Sequence, residues 1–243
     1  MLLRKFKLDW TYAIGELTIV TVGVLIALAV DQWNSNRLAG IEEVAYVSRL
    51  ISDIDKDIRG LDYQINAVDQ KQESLARVAD QLRSGLVSDH LDLFRDAVVG
   101  ANYGWNQNSV NRATYDDLLG SGKFSLIDDH RIRVLISGYY DNFEGGRGRI
   151  EERETEYPNL TYKLIPRAMP DRDDGVVGER SIQTNLPPDR IEKIYQNMLD
   201  SDLEALTTAE ANFGKFLTAM SFDQLEQART LRTELDDYLG SLE

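Results

Sequence analysis

The sequence predicts an all-α protein with one N-terminal transmembrane helix followed by an elongated extracytoplasmic helical bundle. Two observations carry this prediction. The stretch from Thr11 to Trp33 is almost wholly apolar, and the chain after it places apolar residues at steps of three and four, the spacing of a helix. We therefore divide the chain into a cytoplasmic N-terminus (residues 1–10), a membrane helix (residues 11–33) and a periplasmic helical bundle domain (residues 34–243).

The membrane helix is predicted from its length and composition. Glu16 is the only charged residue among the 19 residues from Tyr12 to Val30, and a helix of that length rises about 28 Å, close to the thickness of a bilayer's hydrocarbon core. The apolar run is longer than the hydrophobic region of a cleaved signal peptide, so we expect an uncleaved signal-anchor. Aromatic side chains favour the headgroup level, which predicts membrane-interface anchors at Trp10, Tyr12 and Trp33.

Charges on the two flanks predict the orientation. Arg4, Lys5 and Lys7 precede the membrane helix, whereas Asp31 and the pair Glu42-Glu43 follow it. Positively charged residues stay on the cytoplasmic side, so we expect the N-terminus inside the cell and the helical domain outside.

A long helix is predicted after a short polar break at residues 34–37. Its apolar seam alternates steps of three and four, as in a heptad repeat. The helix should end at Ser84-Gly85. The seam is either the core face of an intramolecular bundle or a parallel self-association stalk, and it consists of Val44, Val47, Ile51, Ile54, Ile58, Leu61, Ile65 and Val68.

Capping residues and glycines predict three helices in the middle of the chain. Ser88 or Asp89 starts the first, which Gly100 and Gly104 end, and the second covers residues 111–119. Asp128 or Asp129 starts the third.

Glycines and prolines divide the remainder. The glycines at 145–148 should loosen or kink the third helix, and a charged helix should follow as far as Pro158. Residues 166–188 form the longest irregular stretch, and Pro188 suits the first turn of the next helix. We expect a break between two C-terminal helices at Phe222-Asp223.

Composition excludes several functional classes. The formal net charge is −14, which argues against nucleic acid as a partner, because binding to nucleic acid requires a basic surface. The absence of cysteine rules out disulfides and thiolate catalysis.

Motifs that could carry chemistry have simpler interpretations. Gly120-Ser121-Gly122-Lys123 lacks the hydroxyl residue and preceding strand of a phosphate-binding loop, so we interpret it as a helix C-terminal turn. The two histidines, His90 and His130, lie far apart in the sequence. The acidic loop at 171–175 lacks the glycine position and terminal glutamate of a calcium loop. We predict no catalytic residues, no metal site and no cofactor, and therefore no enzyme.

One face of the membrane helix is suited to contact another protein. Glu16, Val20, Gly23 and Ala27 follow at steps of four, three and four, so they lie on the same side of a helix. Gly23 and Ala27 allow close approach of a second helix, and a carboxylate at position 16 is costly in lipid unless it faces protein. We predict that this face, which we call the membrane contact face, binds a partner; the alternative is a Glu16 side chain that reaches the cytoplasmic surface.

Two groups of residues resemble a family of uncharacterised bacterial single-pass membrane proteins. The first is the YAIGE sequence at residues 12–16 with GVLIAL at 23–28 and Trp33-Asn34. The second is Thr114-Tyr115-Asp116-Asp117-Leu118, Ser121-Gly122-Lys123, Leu126-Ile127 and Tyr139-Tyr140. The resemblance implies a bacterial envelope location and the topology described above, and it implies no activity.

These observations favour a non-enzymatic accessory or scaffold subunit of a bacterial inner-membrane assembly. Its partners would be membrane lipid and either an integral membrane protein or further copies of the chain. The alternative is a periplasmic helical bundle that senses a small ligand and signals laterally to a membrane partner.

Overall fold

The chain folds as an all-α protein, as predicted. The computed structural model describes residues 10–101, 110–151, 156–166 and 182–242, and within these ranges it contains no strand, only an isolated bridge residue at Ile182. A short 3-10 turn, Lys123–Leu126, separates the third and fourth α-helices. The α-helices are α1 (Trp10–Ser84), α2 (His90–Ala101), α3 (Ala113–Gly120), α4 (His130–Glu151), α5 (Glu156–Leu164), α6 (Pro188–Leu199) and α7 (Leu203–Leu242).

Helix α1 is continuous for 75 residues, or about 110 Å. The predicted break at residues 34–37 was therefore wrong. That segment is polar but contains neither proline nor glycine, and Gln32 Nε2 donates to Asn36 Oδ1 one turn later at 2.8 Å. The predicted end was correct: α1 stops at Ser84, and Gly85 follows with φ of 67°, a left-handed conformation that glycine adopts without strain.

Helix α7 returns along α1 in the opposite direction for 40 residues. The order of the contacts shows the antiparallel arrangement: Asp55 pairs with Arg232 at 2.9 Å, and further along α1 Gln64 bonds to Ser221, which is earlier in α7, at 2.7 Å. The predicted break at Phe222-Asp223 was wrong, because the buried face continues through Leu225 and no proline interrupts the helix.

Two apolar clusters fill the bundle. The proximal cluster, nearer the N-terminal apolar segment, joins α1 to α3, α4 and the C-terminal half of α7 around Ile54, Tyr140 and Leu231. The distal cluster joins the end of α1 to α2, α5 and α6 around Leu75 and Phe94. Between them the α1–α7 contact combines a small apolar cluster, formed by Val68 and Leu217, with buried polar side chains that include the ion pair of Lys71 with Glu210. The bundle therefore has two large cores joined by a layer that contains buried polar groups, which we call the polar layer.

The predicted helix starts agree with the structure. Asp89 Oδ1 accepts a hydrogen bond from Leu91 N at 2.7 Å at the start of α2, and Asp129 Oδ1 accepts one from Arg131 N at 2.7 Å at the start of α4. Such caps satisfy backbone N–H groups that have no partner within the helix. Pro188 is the first residue of α6, as predicted.

In the middle of the chain the predicted helix end at Pro158 was wrong, and the glycines that were expected to loosen or kink α4 do not end it. Helix α4 continues through the glycines at 145 and 146, and a Cβ at Gly146 would lie 3.0 Å from Met220 Sδ, so this glycine permits close packing on α7. Pro158 does not end a helix. It is the third residue of α5, where a missing N–H breaks no helical bond. Most of the predicted irregular stretch, residues 167–181, lies outside the described residues, as do Gly104 and the acidic loop.

Candidate functional site

The N-terminal part of α1 is uncovered. It contains one apolar segment long enough to cross a membrane, none of which is buried within the chain. The membrane contact face lies within this segment: Val20 is exposed, and a Cβ built on Gly23 has no atom within 4 Å. Trp33 is 66% exposed at the segment's end. The side chains of Trp10 and Tyr12, and the residues Arg4, Lys5 and Lys7, lie outside the described part of the chain.

The predicted seam lies against the chain's own helices. Its members from Val47 to Ile65 pack into the proximal cluster with residues of α7 such as Leu225 and Leu235, and Val68 joins Leu217 in a smaller contact. Ile58 and Val44 are partly buried, and the fully or nearly fully buried members are Val47, Ile51, Ile54, Leu61, Ile65 and Val68. Within one chain, α7 therefore occupies most of the surface that a self-association stalk would use.

A hydrogen-bonded carboxylate lies inside the proximal cluster. Asp57 on α1 is 0% exposed. Its Oδ1 accepts from Asn111 N at 2.6 Å and from Asn111 Nδ2 at 2.7 Å, and its Oδ2 accepts from Tyr139 Oη at 3.1 Å. Three donors from two other segments thus converge on one side chain of α1. This arrangement fixes α4 and the segment before α3 against the long helix.

One turn earlier on α1, Asp53 anchors the start of α3. Its Oδ2 accepts from Thr114 Oγ1 at 2.6 Å, and its Oδ1 accepts from Lys56 Nζ at 2.9 Å. Burial acts to raise the pKa of Asp53, but the hydrogen bonds from Thr114 and Lys56 outweigh it and hold that pKa below its usual value.

The pKa of Asp57 moves the other way. Burial raises the pKa of Asp57 to about 6, because the hydrogen bonds from Asn111 and Tyr139 only partly compensate for lost hydration and the Asp53 charge adds repulsion. Two carboxyl groups one turn apart therefore differ in proton affinity.

Stacked aromatic rings form another part of the proximal cluster. Tyr115 and Tyr140 stack with ring centroids 4.4 Å apart, and Tyr140 Oη donates to the carbonyl of Asn111 at 3.1 Å. The guanidinium of Arg112 lies 5.4 Å from the Tyr115 ring centroid. The TYDDL segment and the Tyr139-Tyr140 pair, noted in the sequence as separate motifs, thus meet in one place.

Sequence inspection missed Asp57 and Asn111. The available signal was weak: Asp53 and Asp57 are spaced by four residues, and each directly precedes an isoleucine of the apolar seam, Ile54 and Ile58. Acidic residues at this spacing are equally typical of the solvent-exposed edge of a helix. Only the positions of Asn111 and Tyr139 in the folded chain show that Asp57 is buried and hydrogen-bonded.

An open groove of about 360 Å³ runs between α4 and α7, on the outer side of Tyr139. Its floor contains Leu135, Tyr139 and Leu231, and the exposed Val134 forms part of its edge. Asn142 Nδ2 donates to Gln227 Oε1 at 3.0 Å across the groove, and Gln227 Nε2 donates to Asp223 Oδ2 at 2.7 Å. The full lining is Val134, Leu135, Gly138, Tyr139, Asn142, Asp223, Glu226, Gln227, Thr230 and Leu231.

The histidines and the glycine motif occupy structural positions. His90 stacks on Tyr195 with ring centroids 4.4 Å apart, and His130 is the first residue of α4. Gly122 has φ of 70° in the turn after α3. In the part of the chain that the structure describes, no three His, Asp or Glu residues are placed to hold a metal ion.

These features define a class of protein: an all-α chain in which, among the residues that the structure describes, one candidate membrane helix continues without interruption as the central helix of a bundle. The chain belongs to the family of unknown function DUF6090, whose model matches residues 16–146. The match begins at Glu16 on the membrane contact face and includes Asp57, Asn111 and Tyr139, whereas α5, α6 and α7 follow it. No curated protein and no solved structure matches the chain.

Proposed function

We propose that this protein is a non-enzymatic accessory or scaffold subunit of a bacterial inner-membrane assembly. It docks through the membrane contact face and through its periplasmic helical domain, with the N-terminus in the cytoplasm. The observation that carries the proposal is the uncovered apolar segment of α1, which is continuous with the core of the bundle. A helix held at one end by the bundle presents its other end in a defined orientation, as a docking element requires.

The packing of the bundle supports a scaffold more than a catalyst. Asp57 is buried behind Tyr139, and its oxygens accept hydrogen bonds from Asn111 and Tyr139. The buried polar groups thus hold helices in fixed positions relative to one another. A rigid spacer between a membrane partner and an external surface requires such fixed positions.

Replacing small residues on the membrane contact face should release the partner. In Gly23→Leu or Ala27→Leu, the larger side chain keeps a second helix from approaching, while leucine remains favourable in a bilayer. We expect membrane insertion to be unchanged and the co-purifying protein, identified by mass spectrometry after mild detergent extraction, to be lost.

Controls for this experiment lie on other faces of the same segment. Ile19→Leu and Ile26→Leu should retain the partner. Glu16→Gln separates two roles of the carboxylate, because loss of association indicates a charge pair and retention indicates a neutral, hydrogen-bonded acid. If Gly23→Leu and Ala27→Leu retain the same proteins as the parent, the face contacts only lipid and the proposal is wrong.

Topology supplies an independent test. We fuse after Glu243 a reporter that works only outside the cytoplasm. It should be active, since Arg4, Lys5 and Lys7 hold the N-terminus inside. Neutralising these three residues together should give a mixture of both orientations. A C-terminal reporter that works only in the cytoplasm would reverse the proposed orientation.

A second candidate function is a helical bundle that senses a ligand and signals laterally to a membrane partner. The groove between α4 and α7 favours it, because Tyr139 in the groove floor bonds directly to Asp57 on α1. An occupant of the groove could thereby act on the helix that carries the candidate membrane segment.

A further inference from the structure

We propose that the groove between α4 and α7 is a docking site for a basic, amphipathic peptide segment of a partner protein. The inference rests on the proposed docking function and names the surface of the helical domain that carries it. The shape of the groove, its apolar floor and its unbalanced negative charge together support it.

The dimensions of the groove match a short peptide segment. From Val134 to Asn142, α4 advances about 12 Å, and the facing stretch of α7 from Leu231 to Asp223 covers the same distance. That length matches about two turns of a helix lying along the outside of the groove, over the hydrogen bond that Asn142 donates to Gln227. Gly138 lies midway along α4, and a Cβ built there meets no atom within 4 Å, so the centre of the groove is open.

The floor and edge are suited to apolar side chains. Val134 is 56% exposed and Leu135 is partly buried, whereas Tyr139 and Leu231 beside them are only 4% and 2% exposed. A helix that places an apolar stripe along the groove gains chiefly by covering Val134 and Leu135.

The charge of the groove selects the partner. Asp223 and Glu226 are among the lining residues, whereas no lysine or arginine is. The nearby arginines of α7 are turned to α1, where Arg229 pairs with Asp62 at 3.4 Å and Arg232 with Asp55 at 2.9 Å. At the proximal end, the charge of Arg131 is balanced by Glu234 at 2.6 Å. The groove therefore favours lysine or arginine on the incoming segment.

A second copy of this chain is a poor occupant. Its formal net charge of −14 opposes docking on an acidic groove. A positively charged segment of another protein is the complementary occupant of this groove.

The test measures binding of a fluorescein-labelled, 14-residue leucine–lysine peptide to the full chain in phosphatidylcholine nanodiscs by fluorescence anisotropy. We expect about tenfold weaker binding to Asp223→Asn/Glu226→Gln at low salt. Gly138→Leu should weaken binding as much by filling the groove, and it should fold normally because leucine favours a helix over glycine. Binding to lipid is common to all variants and cancels in the comparison.

Two controls separate the groove from the acidic surface as a whole. Asp69→Asn/Asp80→Asn removes the same charge from exposed positions on α1 and should bind like the parent. A leucine–glutamate peptide should not bind. Equal affinity for the parent, both groove variants and the α1 control would overturn the inference. That outcome would leave the membrane docking intact, which the release of the partner by Gly23→Leu tests separately.

Discussion

Replacing Lys71 with methionine should lower the free energy of unfolding by about 3–5 kcal/mol. Lys71 is 1% exposed and Glu210 is 3% exposed, and the two side chains form an ion pair between α1 and α7. Removing the ammonium takes from Glu210 the ion pair that the structure shows, and burial deprives this carboxylate of the hydration it would have in water. Urea unfolding of the full chain in detergent micelles, followed by far-ultraviolet circular dichroism, measures the loss.

The double variant Lys71→Met/Glu210→Leu should recover most of this stability, because replacing both partners of a buried pair with apolar residues removes the uncompensated charge. A matched control joins the same two helices at the surface: Arg83 pairs with Glu204 at 3.2 Å. Arg83→Met should cost less than about 1 kcal/mol, since both groups of that pair stay hydrated. A Lys71→Met variant as stable as Arg83→Met would show that water reaches the polar layer.

The second large effect is a pH dependence set by Asp57. Its pKa in the folded state is about 6, above the ordinary value of 3.8. Between these pH values the folded chain binds more protons at this site than the unfolded chain does, so the contribution of Asp57 to stability falls as pH rises from about 4 to about 6. Above pH 6 the contribution is constant. The total change is of the order of 3 kcal/mol.

Asp57→Asn removes this titration while retaining an oxygen that can accept from Asn111. The quantity to measure is the difference in free energy of unfolding between the parent and Asp57→Asn at each pH, which cancels the other carboxylates. We expect the parent to lose stability relative to Asp57→Asn as pH rises from about 4 to about 6. Asp53, one turn earlier on α1, has the opposite pH dependence and serves as a control. Because its folded pKa is lowered, its stabilising contribution is lost only as pH falls below about 4. A difference that does not change with pH would mean that Asp57 keeps its ordinary proton affinity.

Buried polar side chains also keep the two large apolar clusters of the bundle in register. Apolar contacts along α1 and α7 would tolerate a shift by a turn, whereas the Lys71–Glu210 pair and the Gln64–Ser221 hydrogen bond would each lose their partner. Pairs of this kind specify one alignment of two long helices. A fixed alignment is consistent with the proposed role, in which the bundle holds the candidate membrane helix and the groove at a constant separation.

Much of the architecture follows from local sequence. Asp89 and Asp129 start helices because their carboxylates accept backbone N–H groups, and Gly85 follows the end of α1 because its φ is positive. Local signals failed where a helix continued through residues that are typical of breaks. Residues 34–37 are polar and Phe222-Asp223 lies between apolar stripes, yet neither segment contains proline. A side-chain hydrogen bond between residues i and i+4 also ends in each segment, at Asn36 and at Asp223.

The helical class of the chain, the ends of several helices and the apolar segment of α1 can be predicted from local sequence, because each depends on residues within a few turns of one another. Two features require the folded chain: α7 covers the seam, and Asp57, Lys71 and Tyr139 are buried with hydrogen-bond or ion-pair partners from other helices or segments. Periodicity identifies which face of a helix is apolar, but the element that packs on that face is distant in the chain. Lys71 and Glu210 are 139 residues apart, and whether such side chains are paired and buried or separate and hydrated depends on how α1 and α7 align.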